Sequence, residues 1–573
     1  MAAADAEARG RRENRMSAAE ALVAMLEGHG VDTVFGLCGD TSLPFYDALY
    51  RTGGAIRHVL TRDERHAAYM ADGYARVTGK VGVCEGPSGG GATYILPGLV
   101  EANESSIPVL AITSDVSVSG RGRFTLTELD QTALMRPLTK WNRVVETGSA
   151  LPRAVRAAFR AMTTGRPGSA HIGVPLDVQR QPVDADDVWA DSDYASYPAE
   201  RHAPDAVSVE RAARILRDAR TPVVVCGGGV VVSGAEAALA AFAEALGAPV
   251  ATTVSGQGSI GDEHPLALGV IGSNGGTPAT RRLVEEADAV VFVGCRAGSV
   301  TTERWRYPAP GGAKIVHLDV DPQVIGVNYA TDAAVVGDAR ASLEALTAAL
   351  GAPAANGNDA EARVARARAQ KRAAFEALAV SDEAPIRPER IVATLARLLP
   401  DDAIVVADPG TPCPYFSAYF DWRGSGRRFI TNRAHGALGY ALAAAMGAHI
   451  GRPSPKCVAV VGDGSFAMSC GELETLVRLG LPITVVVISN AVFGWIKAGQ
   501  KSGFGGRYYS VDFSVTEHAA VAAAFGLESY RVEDPAELEA TLARALDSAS
   551  PTLVDVVTQP LQDANAPVSE WIA

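Results

Sequence analysis

The chain of 573 residues lacks the features that mark several specialised classes of protein. No apolar run approaches the roughly 18 uninterrupted residues that a membrane-spanning helix needs, so we expect no membrane segment. Lysine and arginine total 52 against 65 aspartates and glutamates, and the net charge is −13. Nucleic-acid binding requires clustered basic residues in excess, so this composition argues against a nucleic-acid-binding protein.

Cysteine is scarce and scattered, and the first residues have no apolar core. The seven cysteines form no CxxC pair, a distribution typical of reduced thiols rather than of disulfides or a zinc site. Residues 1–15 contain charges of both signs where a signal peptide has an apolar segment, so we expect a disordered tail. Both observations favour a cytoplasmic protein.

The rest of the chain alternates short apolar runs with amphipathic stretches. A chain of this length is too long for one hydrophobic core. Runs such as IPVLAITSD and SAHIGVPLDV have the composition of buried strands, and the alternation is typical of βαβ units around parallel sheets. Stretches at 190–205 and 352–388 are predicted to be linkers. We therefore predict an α/β protein with three doubly wound parallel-sheet domains over residues 16–188, 205–351 and 386–573.

The segment VAVVGDGSFAMSC contains the strongest local signal. A buried strand is followed by the turn Gly462-Asp463-Gly464, and a helix is predicted to begin near Ser465. A carboxylate at the end of a strand, beside glycines and a helix N-terminus, is suited to a metal-bridged diphosphate. Asn490 lies 27 positions after Asp463, beyond one helix and one further strand, so we expect both side chains at the same edge of a sheet.

A Gly-Asp-Gly turn alone is common, but GDGS with an asparagine at this separation resembles the motif of thiamine diphosphate-dependent enzymes. The resemblance implies that Asp463, Asn490 and the main-chain carbonyl of Val492 bind Mg²⁺, which prefers about six oxygen ligands. The usual motif has two asparagines where this chain has Ser489 and Asn490, and the ligand-bearing second position is retained. Thiamine diphosphate and Mg²⁺ are therefore the expected cofactors.

The segment LTRDERHAAYMADGYARVTG resembles the family's stretch around the glutamate that activates the cofactor. In that family the glutamate hydrogen-bonds the aminopyrimidine ring and favours the tautomer that acts as a base. The resemblance places this catalytic and cofactor-binding role on Glu64. Taken alone, Glu64 is better explained as a solvated surface charge, because it lies between Asp63 and Arg65. The distant GDG motif favours the catalytic interpretation.

Two further loops are predicted to contact the cofactor. In NRAHGALGYALAAAMGA the resemblance implies that Leu438 supports the bent cofactor and that the Gly436 carbonyl accepts its amino group, which fixes the reacting geometry. In DPGTPCP it places Gly410 and Thr411 near the diphosphate, although the polar pair often found after this glycine is replaced here by Thr411-Pro412. The turn residues Gly462, Gly464 and Ser465 complete the expected set.

From Met16 to about Pro560 the chain resembles acetolactate synthase (acetohydroxyacid synthase) catalytic subunits. The resemblance implies a pyrimidine-binding domain, a middle domain and a diphosphate-binding domain, and a homodimer or homotetramer with the active site at the subunit interface. The implied reaction is decarboxylation of a 2-oxo acid such as pyruvate, followed by ligation of the remaining fragment to a second carbonyl compound.

Several positions depart from this pattern and leave alternatives open. Leu126 and Thr127 stand where that enzyme has Phe-Gln, and Gly499 stands where it has a tryptophan that sets specificity. A missing aromatic side chain is expected to enlarge the acceptor pocket. A non-ligating 2-oxo acid decarboxylase or aldehyde lyase is the main alternative, and a homologue without catalysis is disfavoured because Glu64, Asp463 and Asn490 are all present.

Two more residues are candidates for catalysis, and a flavin is a candidate cofactor. Glu85 precedes a glycine-rich turn that approaches the thiazolium ring in this family, so a carboxylate there is suited to proton transfer; its alternative is a salt bridge. Lys140 occupies a place where acetohydroxyacid synthases have a basic group, and its alternative is a surface charge. FAD binding in the middle domain stays open, because the run Gly227–Gly229 is a weak signal.

Overall fold

The structure is a computed structural model that describes residues 14–351, 359–564 and 566–571. These residues divide into two compact units, one made of the chain up to residue 200 together with 446–452, the other of the remainder. The first unit contains one six-stranded parallel sheet and the second unit contains two. The predicted fold class, three parallel-sheet α/β domains, is confirmed.

Within residues 14–200, the first unit contains eight strands and eight α-helices, and part of the helix Ala441–Gly451 also belongs to it. Its strands are β1 (Arg15–Ser17), β2 (Thr33–Gly36), β3 (Arg57–Leu60), β4 (Gly82–Gly86), β5 (Val109–Asp115), β6 (Trp141–Val144), β7 (Ala170–Pro175) and β8 (Pro182–Asp184). Its helices are Ala18–Gly28, Leu43–Arg51, Glu64–Thr78, Gly90–Tyr94, Leu96–Glu104, Gln131–Met135, Leu151–Thr163 and Leu176–Gln179. The sheet order is β3-β2-β4-β5-β7-β6, and β1 pairs separately with β8.

The second unit contains two sheets that follow one another along the chain. The first of them contains β9 (Pro222–Cys226), β10 (Val250–Thr252), β11 (Ala267–Val270), β12 (Ala289–Val293), β13 (Lys314–Asp319) and β14 (Ala333–Val336). The other contains β15 (Ile404–Ala407), β16 (Phe429–Thr431), β17 (Cys457–Gly462), β18 (Thr484–Ser489), β19 (Glu528–Val532) and β20 (Thr552–Val557). Their orders are β11-β10-β9-β12-β13-β14 and β16-β15-β17-β18-β20-β19.

Helices alternate with these strands from residue 201 onwards. They are Ala206–Asp218, Gly228–Ser233, Glu236–Leu246, Pro278–Glu285, Ala339–Leu350, Ala360–Ala379, Pro388–Leu398, Pro412–Tyr419, Ala441–Gly451, Asp463–Ser469, Leu473–Arg478, Gly494–Gly503, His518–Ala524 and Leu538–Asp547. Strands such as β5, β7, β12 and β18 are buried along their whole length. Complete burial is expected when helices cover both faces of a parallel sheet.

The first and third sheets share one topology. With strands counted from one to six within each sheet, both have the order 2-1-3-4-6-5. In each sheet the second counted strand lies on one side of the first, and the third lies on the other side. The direction of winding therefore reverses between β2 and β4 in the first sheet and between β15 and β17 in the third. Parallel α/β sheets bind ligands at such switch points, beyond the carboxyl ends of the strands. These two edges contain most of the predicted site residues.

The structure differs from the sequence-based expectation at the N-terminal tail. Residues 1–13 of the predicted tail lie outside the described residues. Arg15, which the prediction included in the tail, lies in β1, and Asn14 accepts a hydrogen bond from the Ala185 amide. The three domain boundaries stay a prediction. None of the described helices is both long enough and apolar enough to cross a membrane.

The helix that carries Glu64 is held by a buried ionic group. Asp63 caps the start of this helix, and Gly79, with a φ of +72°, ends it. Near its end Arg76 donates to Asp72 at 2.8 Å and to Glu101 of the neighbouring helix at 3.2 Å. The Arg76 side chain is 4% exposed and both carboxylates are fully buried. The positive charge of Arg76 therefore compensates the negative charges of Asp72 and Glu101 inside the protein.

We expect Arg76→Met to destabilise the first unit by about 3–5 kcal/mol, because it leaves two buried carboxylates without their cation. Arg51→Met is the matched control, since the Arg51 side chain is 60% exposed and its ion pair with Glu20 lies at the surface; we expect a loss below about 1 kcal/mol. The midpoints of urea unfolding measure both effects. Equal losses in the two variants would contradict the assignment.

Candidate active site

Asp463 lies at the point where β17 ends and the helix Asp463–Ser469 begins. Its side chain is buried, and three main-chain amides donate to it, those of Gly464 at 2.9 Å, Asn490 at 2.7 Å and Ala491 at 2.6 Å. Burial raises the pKa of the Asp463 carboxyl, and the three amides act in the opposite direction. The predicted meeting of Asp463 and Asn490 at one sheet edge is therefore found in the structure.

The turn after β18 contains Asn490 and a main-chain carbonyl that takes no part in the local bridge. Ala491 has a φ of +55°, and Val492 forms an isolated antiparallel bridge with Asp512. The hydrogen bonds of this bridge use the Ala491 carbonyl and the Phe493 amide. In such a pairing the groups of the intervening residue face away from the paired segment, so the Val492 carbonyl is left for another partner.

Three of the predicted glycines border open space. A side-chain carbon added to Gly410, Gly436 or Gly462 would meet no atom within 4 Å, so a ligand is able to approach their main chain closely. Gly464 differs, because an added carbon would lie 2.6 Å from the Phe493 ring. Packing against Phe493 therefore accounts for glycine at position 464.

Two buried polar residues that the sequence did not single out hold the loop before the helix Ala441–Gly451. Asp408, directly after β15, accepts hydrogen bonds from the amides of Tyr440 and Ala441 at 2.9 and 3.1 Å. The Asn432 side chain donates to the Ala437 carbonyl at 2.5 Å. The only sequence signal for Asp408 is its place at the end of a strand.

The predicted residues of this loop take their positions from these contacts. Leu438 is half-buried and Gly436 has a φ of +73°. Ser465 accepts a hydrogen bond from the Gly439 amide at 3.4 Å. Thr411 is buried at the start of the helix Pro412–Tyr419. The loop, the helix start and the Asp463 turn all belong to the carboxyl edge of one sheet.

These residues fit a magnesium ion and a diphosphate group. Asp463, Asn490 and the Val492 carbonyl supply a carboxylate, an amide and a main-chain oxygen, and Mg²⁺ prefers oxygen ligands of this kind. No cluster of three or more His, Cys, Asp or Glu side chains suited to a metal occurs in the described ranges, and in the proposed set Asp463 supplies the carboxylate. The open main chain at Gly410 and Gly462 provides room for the diphosphate.

In the first unit, Glu64 lies against the glycine-rich turn that follows β4. It is the first residue of its helix and is buried. Side-chain carbons added to Gly86 and Gly91 would lie 3.3 Å from its Cγ and 3.1 Å from its Oε1. Burial raises the pKa of the Glu64 carboxyl, and the charge of Asp63 adds to the increase. A carboxyl whose pKa is raised by burial at the start of a helix beside a glycine-rich turn is a candidate for proton transfer.

Glu85 is buried in β4 and makes no salt bridge in the part of the chain that the structure describes. Tyr46 donates to its Oε2 at 2.7 Å, and its Oε1 has no hydrogen-bond partner. Burial raises the pKa of Glu85 to about 8. The salt-bridge alternative is therefore absent, and the catalytic role stays a prediction.

The Lys140 side chain is hydrogen-bonded to main-chain carbonyls of its own unit. Its Nζ donates to the carbonyls of Thr164 and Arg166 at 2.7 and 2.8 Å. These hydrogen bonds stabilise the loop 164–166, which explains why a basic residue occupies position 140. A catalytic role for Lys140 stays a prediction.

The glycine run of the middle domain does not form a cradle for FAD. Side-chain carbons added to Gly227 and Gly229 would lie 2.3 and 2.7 Å from main-chain atoms of Gly294. Close packing of the ends of β9 and β12 therefore explains both glycines. FAD binding stays a prediction without support from these residues.

The positions that depart from the acetolactate synthase pattern also have a structural account. The space beside Gly499 is limited by Trp571, whose Cβ would lie 3.7 Å from a side-chain carbon at position 499, and the Trp571 ring packs edge-on to Trp495. Trp571, a residue distant in sequence, therefore lies beside Gly499, and the enlarged acceptor pocket stays a prediction. Thr127 has a φ of +69° and lies 2.8 Å from the Ser88 hydroxyl.

Comparisons with known proteins assign the three domains of the chain to one family. Models of the thiamine pyrophosphate enzyme family match residues 16–134 as the N-terminal TPP binding domain, 209–346 as the central domain and 408–556 as the C-terminal TPP binding domain. The matched ranges contain Glu64 in the first and Asp463, Asn490 and Val492 in the last.

Full-length relatives include acetolactate synthases. A probable acetolactate synthase large subunit of Methanocaldococcus jannaschii is 34% identical, covering 96% of this chain and 93% of its own length. An acetolactate synthase of Arthrospira platensis is 34% identical over 95% and 94% of the two chains. Acetolactate synthase isozyme 2 large subunit of Escherichia coli is 33% identical over 96% of both. With three family matches and relatives of this similarity along its length, the chain belongs to the thiamine pyrophosphate enzyme family, as an acetolactate synthase-like member.

Proposed function

We propose that this protein uses thiamine diphosphate and Mg²⁺ to decarboxylate a 2-oxo acid such as pyruvate and to join the remaining fragment to a second carbonyl compound. The observation that carries the proposal is the oxygen set of Asp463, Asn490 and Val492 at one sheet edge, in a chain that also has a buried glutamate at position 64. Relatives named acetolactate synthase support the ligation step.

The proposed roles follow from the environment of each residue. Thiamine diphosphate, when bound, supplies the nucleophilic carbon and the electron sink for decarboxylation. Asp463, Asn490 and the Val492 carbonyl would hold the Mg²⁺ and, through it, the diphosphate. Glu64 would serve as the group that exchanges a proton with the cofactor, and burial raises the pKa of its carboxyl. Leu438 and the Gly436 carbonyl would orient the cofactor.

A homodimer or homotetramer is part of the proposal. Phe124 is fully exposed and Leu126 is 85% exposed, in a loop of the first unit. Exposed apolar side chains of this size are typical of interaction surfaces when they occur together, which supports association of subunits there. A cytoplasmic location is also proposed, and it agrees with seven free cysteines.

We expect Asp463→Asn to abolish Mg²⁺-dependent binding of thiamine diphosphate, because the metal loses its only carboxylate ligand. Isothermal titration calorimetry with both cofactors measures the loss. Asp338→Asn is the matched control, since Asp338 is also buried and caps a helix in the same unit, and its affinity should stay unchanged. Tight binding to Asp463→Asn would rule out this metal site.

With pyruvate as the probe, we expect the protein to release carbon dioxide and to form acetolactate. The product is identified by mass spectrometry after incubation with thiamine diphosphate and Mg²⁺. Acetaldehyde without acetolactate would contradict ligation and favour the decarboxylase or lyase alternative. No carbon dioxide despite cofactor binding would contradict pyruvate as the donor.

We expect Glu64→Gln to bind thiamine diphosphate and Mg²⁺ normally but to lose about 10²–10⁴-fold in turnover, the usual contribution of a general acid or base. Glutamine keeps the size of the side chain and removes the titrating proton. Calorimetry provides the control for binding, and carbon dioxide release measures turnover. Unchanged turnover would exclude Glu64 from proton transfer.

A further inference from the structure

Three titratable side chains of the first unit form a continuous hydrogen-bonded row. The Tyr46 hydroxyl lies 2.7 Å from Glu85 Oε2 and 3.0 Å from His58 Nε2. Glu85 is 1% exposed, whereas Tyr46 and His58 are half-buried. The row therefore runs from the interior of the sheet towards its edge strand, β3.

The register of the sheet explains how side chains on two non-adjacent strands are connected. Gly36 of the intervening strand β2 pairs with Glu85 on one side and with Leu60 on the other. His58 is two residues before Leu60, so His58 and Glu85 point to the same face. A side-chain carbon at Gly36 would lie 3.0 Å from Glu85 Oε2. Because glycine has no such carbon, space remains above β2 for the Tyr46 side chain, whose hydroxyl contacts both Glu85 and His58.

The inner end of the row lies at the same sheet edge as Glu64. Glu85 is followed by Gly86, where an added side-chain carbon would lie 3.3 Å from Glu64 Cγ. Glu85 Oε2 is bound by Tyr46, but Oε1 is fully buried and has no hydrogen-bond partner in the described part of the chain. A buried polar atom without a partner is costly, and at a ligand-binding edge it marks a place for a ligand contact.

The groups around Glu85 favour its neutral form. Burial is the main cause, and the charge of Glu64 adds to it, whereas the hydroxyls of Tyr46 and Ser42 act in the opposite direction. Cys38 also faces Glu85, and burial raises the pKa of that thiol. The pKa of Tyr46 is raised by burial and by Glu85, so the phenol stays neutral. It is therefore suited to donating one proton only as it receives another.

We propose that Glu85 is a catalytic acid and base for the proposed reaction, connected to solvent by Tyr46 and His58. When a carbon nucleophile adds to a carbonyl group, the oxygen becomes an alkoxide that needs a proton. Glu85 gives that proton from Oε1, its Oε2 takes the Tyr46 proton, and Tyr46 takes the Nε2 proton of His58 while solvent returns one proton to the imidazole ring. Tyr46 and His58 are positioning residues.

The inference rests on the proposed function for its substrate, and its test separates the two. In pyruvate turnover the working acid form is lost as Glu85 ionises, so the wild-type rate should fall as the pH rises through about 8. We expect Glu85→Gln to lose about 100-fold in turnover and to lack this descending limb. Tyr46→Phe and His58→Gln should lose only about 10-fold each, less than the 10²–10⁴-fold of a direct acid or base, because they act through Glu85, and both should move the descending limb to a different pH.

Tyr74→Phe is the matched control. The Tyr74 hydroxyl donates to the Asp32 carboxylate at 2.7 Å, the same distance as in the Tyr46 contact, and it lies outside the row. We expect it to keep the wild-type pH profile. A wild-type profile in Glu85→Gln, or the same change in Tyr74→Phe as in Tyr46→Phe, overturns the relay.

A second measurement does not depend on turnover. Burial raises the pKa of Glu85 from the ordinary 4.5 to about 8, so the unfolded chain releases this proton first, and wild-type stability should fall between these two pH values relative to Glu85→Gln. Infrared difference spectra should show a protonated carboxyl band that Glu85→Gln lacks and Tyr46→Phe shifts. If pyruvate is not turned over, the proposed reaction fails while this test still applies; a missing band overturns the relay.

Discussion

The carboxylate of Asp463, buried where β17 ends, is the group on which the proposed site depends. A buried carboxylate is stable only if hydrogen bonds or a cation replace its water. Here the amides of Gly464, Asn490 and Ala491 provide the hydrogen bonds. Two of them come from the turn after β18, so the same charge that suits a metal also fixes the turn that contains Asn490 and Val492. The left-handed conformation of Ala491 is compensated by these bonds.

The binding of an anionic cofactor by an acidic protein follows from this arrangement. A chain with net charge −13 has no general excess of cations for a diphosphate. The proposed site would instead combine a metal held by oxygen ligands with main chain that is open to a ligand at Gly410 and Gly462. The first and third sheets have the same topology. In each of them, buried carboxyl groups lie at the switch point, Glu85 in the first and Asp463 in the third.

The alternation of apolar runs was sufficient to predict three parallel-sheet domains, because buried parallel strands and their covering helices have different periodicities. The pairing of Asp463 with Asn490 was also predictable, since consecutive parallel strands end at the same edge. Glu64 depended on a family resemblance, because its local sequence resembles a solvated charge. Asp408 was missed, since its contacts with the loop near Tyr440 lie 32 residues away.

The sequence by itself determined the fold class, the oxygen-bearing residues proposed as metal ligands and the glycines that allow close approach. Only the tertiary structure decided which distant side chains share a contact: Trp571 with Gly499, Lys140 with two loop carbonyls, and Tyr46 between Glu85 and His58. The reason is physical. Periodicity reports which face of an element is buried, whereas contacts across strands depend on register and on the space that small residues such as Gly36 leave open.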